Sequence, residues 1–128
     1  MTIPKFRAWD RLTGEMFPVG IIDYSIQSIY IEEPNGLYGK RDFDEVKLMQ
    51  STGLFDMYGE EIFEGDVLKT YDGELAKVVW NKELACWEAE FLGEIVDLSE
   101  VADVKCNRSD CEIVGNIYEN PELLEEEK

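Results

Sequence analysis

The sequence predicts a mainly β protein in two parts, a smaller β-rich (α+β) part over residues 1–48 and a larger one over residues 49–128. Three observations predict it. Short runs in which apolar and polar side chains alternate recur along the chain, the pattern of half-buried strands. Turn-forming pairs such as Thr13-Gly14, Asn35-Gly36 and Asp72-Gly73 stand between them. The composition, 45% hydrophobic with 12% aromatic residues, is that of a globular domain. A chain of 128 residues removes roughly two thirds of its unfolded surface from water on folding, enough for a core without covalent staples.

The first strand is Lys5-Phe6-Arg7-Ala8-Trp9-Asp10, which alternates cleanly. Thr13-Gly14 supplies a turn, and Glu15 to Val19 returns as a second strand that Pro18 places at a sheet edge. Ile26 to Ile31 is rich in β-formers and is closed by Pro34-Asn35-Gly36. No repeat or low-complexity linker marks the boundary near residue 48. Beyond it, Asp56-Met57-Tyr58-Gly59 reads as a β-turn with glycine free to take positive φ. Glu64-Gly65-Asp66 leads into Val67 to Tyr71, Asp72-Gly73 turns the chain, and Glu74 to Trp80 returns. A turn at Asn81-Lys82 feeds Leu84 to Leu92, whose apolar face centres on Trp87 and Phe91. Glu112 to Tyr118 is a last strand, with Gly115 at a bulge or a close backbone approach. Asn120-Pro121 fits a helix start, with a short acidic helical tail behind it. A tight glycine-aspartate entry, a meander over 66–92 and a return strand together predict a small SH3-like β-barrel.

Charge divides the chain. Twelve basic and 29 acidic residues give a net charge of −17. Residues 1–48 hold six basic and eight acidic side chains, net −2, so residues 49–128 carry the remaining −15. Such a field repels nucleic-acid phosphates and anionic membranes and draws in basic partners. With no long apolar run and no signal-like start, the expected location is the cytoplasm.

Little catalytic chemistry is on offer. There is no histidine, the usual acid–base group near neutral pH. The three cysteines, Cys86, Cys106 and Cys111, are read as reduced thiols, and three thiols without an imidazole fall short of a structural zinc site. Cys106 and Cys111 could oppose each other across a turn, and Lys105 and Arg108 beside Cys106 are the one hint of thiolate activation. No phosphate-binding glycine loop occurs. The acidic turn from Asp56 to Asp66 fails the calcium-loop spacing, because Gly59 stands fourth where that loop needs glycine sixth. No enzyme, metal or cofactor is expected. The candidate surface residues are the tryptophans Trp9, Trp80 and Trp87, one of which could floor a peptide groove, and the acids Glu60, Glu61, Glu64 and Asp66.

Three blocks carry a family likeness. They are Lys5-Phe6-Arg7-Ala8-Trp9-Asp10; then Leu48-Met49-Gln50 with Thr52-Gly53-Leu54, Asp56, Gly59 and Glu61-Ile62-Phe63-Glu64-Gly65-Asp66-Val67; then Ile113 through Leu124. In this order they resemble the YopX-like proteins of phages and prophages of Gram-positive bacteria. The resemblance implies an SH3-like C-terminal barrel behind a smaller N-terminal part, and it brings no established activity. Ser51, Phe55, Met57 and Tyr58 depart from the family pattern and make that turn more apolar and less basic. The expected role is a non-catalytic interaction or self-assembly module meeting a host or phage protein, with neither nucleic acid nor membrane bound directly. The alternative is an acidic decoy that presents carboxylates to a DNA- or RNA-binding host protein.

Overall fold

The computed structural model describes residues 5–104 and 108–124. The chain forms two compact units, Met1–Gln50 and Ser51–Lys128. Both are built from antiparallel strands, with short 3-10 turns and no α-helix among the described residues. The α+β character expected of the first part is therefore corrected to β. None of these turns is long and apolar enough to cross a membrane.

The first unit holds β1 (Phe6–Asp10), β2 (Glu15–Asp23), β3 (Ser28–Glu32), β4 (Tyr38–Asp42) and the start of β5 (Val46–Phe55), in the order β4-β3-β2-β1-β5. Ala8, Phe17, Ile29, Ile31 and Val46 form its core, backed by Val19, Ile22, Phe43 and Leu48. Pro18 does not lie on an edge strand, since β2 runs between β1 and β3. The β3 ladder begins only at Val19, so Pro18 has a partner, Arg7, on the β1 side alone and owes β3 no N–H. At the far end of the core face Asp10 is fully buried and receives both Nε contacts of Arg41 at 3.1 Å, with Arg41 Nη2 at 3.1 Å from Oδ2. The hydroxyl of Thr13 and the N–H of Leu12 complete its shell.

The second unit holds the rest of β5, then β6 (Glu61–Phe63), β7 (Asp66–Thr70), β8 (Leu75–Asn81), β9 (Cys86–Phe91), β10 (Glu94–Asp97) and β11 (Cys111–Asn116). Ser51 and Phe55 of β5 pair with Phe63 and Glu61 of β6. The other five strands form a sheet in the order β10-β9-β8-β7-β11. No pairing joins β10 to β11 among the described residues, so this sheet is open where the sequence predicts a closed barrel. Ile62, Leu68, Ala76, Val78, Ala89, Leu98 and Cys111 make its core. The expected meander over 66–92 is present and runs one strand further, through Leu92-Gly93 into β10. Asp72-Gly73 turns the β7–β8 hairpin with Gly73 at φ +91°, and Thr70 N–H donates to the Glu74 carbonyl at 2.9 Å. The loop therefore has three residues, and glycine supplies its left-handed position.

Gly115 serves in both expected ways. The β11–β7 register slips between Ile113 and Gly115, and a Cβ on Gly115 would run into the Asn120 side chain. The last strand ends at Asn116, two residues early, because its Oδ1 takes the N–H groups of Tyr118 and Glu119 and bends the chain out of the sheet. Beyond Asn120, Pro121–Leu124 make one 3-10 turn against β8. Asn120 Oδ1 accepts from Asn116 N–H, so this side chain serves the bulge and not a helix cap. The rest of the expected tail lies outside the described residues.

Three hairpins share one loop design. Asp10, Asp23 and Asn81 each pair with the residue five positions on, and each side chain accepts an N–H from within the loop. The fourth loop residue is left-handed every time: Gly14 at φ +71°, Gln27 at +54° and Ala85 at +54°. An L-residue there is held against a penalty of about 1–2 kcal/mol that glycine escapes. Replacing Ala85 by glycine is accordingly expected to raise stability by about 0.5–1 kcal/mol after its greater unfolded-state entropy is allowed for. Urea melts of the variant check it; a destabilised Ala85→Gly protein would contradict this reading of the loop.

Candidate interaction surface

The tryptophans occupy two different settings. Trp80 and Trp87 are direct cross-strand partners in the β8–β9 hairpin. Alternation puts both on the face that carries Ala76, Val78 and Ala89, which are core residues. The rings meet edge to face, with centroids 4.9 Å apart and planes at 62°. Trp87 packs on the core cluster, whereas Trp80, one pair beyond Val78, is 45% exposed. The core face thus ends in an indole that is half in water. Trp9 belongs to the first unit, on β1, half-buried between Met16 and Lys47 as its strand neighbours.

The acids are also split. Glu60 is exposed and Glu64 half-buried. Glu61 accepts the hydroxyl of Ser51 across the β5–β6 pair. Asp66, expected on the surface, is 1% exposed, and its Oδ2 takes the N–H of Phe63 at 2.8 Å. Its carboxylate closes the Glu64-Gly65 turn from inside, which is the correction to its placement on an acidic face. Asp56 goes further. It is 2% exposed; Oδ1 accepts the N–H groups of Tyr58 and Glu60, each at 2.9 Å, and Oδ2 accepts that of Ile113 at 3.0 Å. The adjacent Met57 N–H donates to the Cys111 carbonyl at 2.8 Å. One carboxylate therefore shapes its own turn and ties it to β11. The Asp-x-x-Gly spacing reveals the turn; the bond to Ile113, 57 residues away, has no local signature.

Neither described thiol has a setting that lowers its pKa. Cys111 is a free, buried thiol pushed up to about 12 by burial first and then by Asp56 and Asp110. Cys86 is also raised, by desolvation first and then by Glu88 and Asp97. Cys106 and the contacts proposed for it lie outside the described residues. Among those residues no group of three Cys, Asp or Glu side chains converges as a metal cage. In the folded protein at pH 8, Cys111 is expected to resist a thiol reagent and to react only once denaturant is added. Reaction of Cys111 in the native state, followed by mass spectrometry, would contradict its placement.

On the outer face of β8 and β9, Lys77 Nζ lies 3.4 Å from Glu90 Oε1 and Asn81 Nδ2 donates to Glu88 Oε2 at 3.2 Å. Beyond them Asp97 stands directly opposite Glu88. Leu92 and Ile95 are exposed on the β9–β10 hairpin. Sequence reading missed this strand. The only signals were Leu92-Gly93 as a turn and Ile95-Val96 as two β-formers behind it.

Two antiparallel β units, the second with an aromatic pair at the open end of its core, define a mainly β architecture with its distinctive side chains on sheet faces and edges. The chain belongs to the YopX family: the model of that family, described as YopX protein, matches residues 5–125. Among solved structures it is similar to protein EF1440 from Enterococcus faecalis, with 32% identity and a TM-score of 0.67. That match covers 98% of this chain and 100% of the other. No curated protein matches it.

Proposed function

We propose that this protein is a non-catalytic interaction module of phage or prophage origin that works in the bacterial cytoplasm, meeting a protein partner or further copies of itself. The observation that carries the reading is Trp80, 45% exposed against Trp87 on a face that is otherwise core. A large indole left half in water on a rigid hairpin is the kind of anchor that dominates protein interfaces. The absence of histidine and the raised thiols support the non-catalytic part of the reading. We further read the second unit as a partly open SH3-like barrel. Its support is the way the β5–β6 segment reaches β11 through Met57 bonded to Cys111, and the segment ahead of β11 through Phe55 paired with Asp103.

Trp80→Ala is the test. Truncating an interface anchor of this type weakens binding by about 2 kcal/mol or more, whereas a half-exposed side chain at the end of a hairpin contributes less to folding. The variant should therefore keep most of its thermal stability and lose its partner. A partner retained with unchanged affinity by Trp80→Ala and by Trp87→Ala would remove the aromatic pair from the account. The acidic decoy is the second reading. Its charge resides in residues 49–128, but the segment from Glu60 to Asp66 offers it little, because Asp66 is turned inward and Glu61 is engaged by Ser51.

A further inference from the structure

The five-stranded sheet of the second unit has two ends, and they are finished differently. At β11 the outer side is occupied: Met57 N–H donates to the Cys111 carbonyl, Ile113 N–H to Asp56 Oδ2 and Asn116 N–H to Asn120 Oδ1. At β10 the only strand partner among the described residues is β9. No main-chain bond reaches the outer side of β10 among the described residues. The two-residue Leu92-Gly93 connection closes on the pair Phe91–Glu94. From that pair the ladder alternates, so Glu94 and Val96 turn their main-chain groups toward β9 while Ile95 and Asp97 turn theirs outward.

Natural sheet edges are commonly blunted by lysine, proline, a bulge or a covering segment. The strand Glu94-Ile95-Val96-Asp97 contains no lysine and no proline, and its register with β9 runs without a slip. Ile95 is 57% exposed and Leu92 81%. The charges along the edge are all of one sign. Asp97 faces Glu88 across the β9–β10 ladder, an arrangement of like charges that a basic neighbour would relieve. Asp97 is held in place by Ser99, whose N–H and hydroxyl donate to Oδ1 at 3.0 and 2.7 Å.

We infer that β10 is an edge for strand addition by an extended, basic segment of a partner protein, with an apolar side chain against Ile95 and Lys or Arg against Asp97 and Glu94. Main-chain bonding to Ile95 and Asp97 supplies the register, and the charges select the partner. The inference rests on the interaction-module reading and adds to it a site and a partner chemistry separate from the tryptophan pair. A second copy fits less well: two β10 edges would bring together two segments from the part of the chain that carries −15. A basic segment meets the opposite sign.

The probe is a capped synthetic peptide, Lys-Lys-Val-Val-Lys-Lys, whose central four residues set Lys opposite Glu94 and Asp97 and Val opposite Ile95. It is titrated calorimetrically into the full chain, with Glu-Glu-Val-Val-Glu-Glu as control. The basic peptide should bind and the acidic one should not. Ile95→Pro removes one outward N–H and leaves the bonds of Glu94 and Val96 to β9 in place; it should weaken the basic peptide at least about tenfold. Glu94→Lys should weaken it as well, and Trp80→Ala should leave it unchanged. If Ile95→Pro lowers the melting temperature, Glu94→Lys decides in its place. Equal peptide affinity in wild type and both β10 variants overturns the inference, as does an absence of binding. Loss of the peptide in Trp80→Ala alone overturns the β10 site and leaves the interaction reading standing. A dimer of the wild type that Ile95→Pro dissolves assigns the edge to a second copy and overturns the basic partner.

Discussion

Replacing Asp56 by alanine is expected to destabilise the protein by about 3–5 kcal/mol, the cost of removing one member of a buried, charge-assisted network. Three N–H groups, those of Tyr58, Glu60 and Ile113, lose their acceptor at once. Two hold the turn that starts at Asp56, and the third lies on β11. Strand and turn are further joined by Met57 N–H on Cys111 and by the Ser109 hydroxyl, which takes the N–H of Asp103 and donates to the Phe55 carbonyl. Loss of the carboxylate should loosen this whole corner. Asp56→Asn is the informative companion. Its carbonyl oxygen can still accept from Tyr58 and Glu60, but its amide would face the N–H of Ile113 with another donor. Asparagine should therefore fall between aspartate and alanine in denaturant melts. A loss below about 1 kcal/mol for alanine, the scale of one ordinary hydrogen bond, would show that the turn does not depend on this side chain.

The second large effect belongs to Asp10. Burial alone would raise its pKa; the Arg41 guanidinium, the Thr13 hydroxyl and the Leu12 N–H together bring it below the ordinary 3.8. A carboxylate whose folded-state pKa is depressed adds stability above its unfolded value and loses it as pH falls through the folded one. Asp10→Asn should accordingly cost about 2–3 kcal/mol at pH 6, since it leaves Arg41 half-buried without its counter-charge. The gap between variant and wild type should begin to narrow as pH drops below the ordinary 3.8 and close as it falls through the lower folded-state value, where the buried carboxylate takes up its proton. Denaturation curves at pH 6 and pH 3 measure this. A gap of constant size across that range would mean that the charge of Asp10 contributes nothing.

Both effects come from acids that look like surface residues in the sequence. With 29 Asp and Glu among 128 residues, nothing local separates Asp10, Asp56 or Asp66 from their solvated neighbours. Their partners are a guanidinium 31 residues away, an N–H 57 residues away and the turn at Phe63. What the sequence does show is local. Alternation located β1 and the β7–β8–β9 meander, and Asp-Gly marked the hairpin between β7 and β8. Gly115 stood out as a glycine inside a strand, and it is where the register slips. Strand β4, Tyr38-Gly39-Lys40-Arg41-Asp42, has neither β-branched residues nor an apolar face. It is a strand because β3 pairs with it along its whole length. Strand β5 crosses from residues paired with β1 to residues paired with β6, so the division between the units at Gln50 and Ser51 falls inside a continuous strand that carries no linker signal. The tryptophan pair was half legible. Each indole could be seen to sit in a strand, but the register that sets Trp80 against Trp87 depends on a four-residue loop with Ala85 left-handed, a conformation that alanine does not advertise.

The most direct measurement of the interaction account is capture from a bacterial lysate on immobilised wild type and Trp80→Ala, washed at about 50 and then 200 mM salt, a range over which purely charge-driven contacts collapse. The account expects a discrete partner that stays on the wild type through the high-salt wash and is missing from the variant. DNA- or RNA-binding proteins that leave both columns with salt would contradict it and place the acidic decoy first.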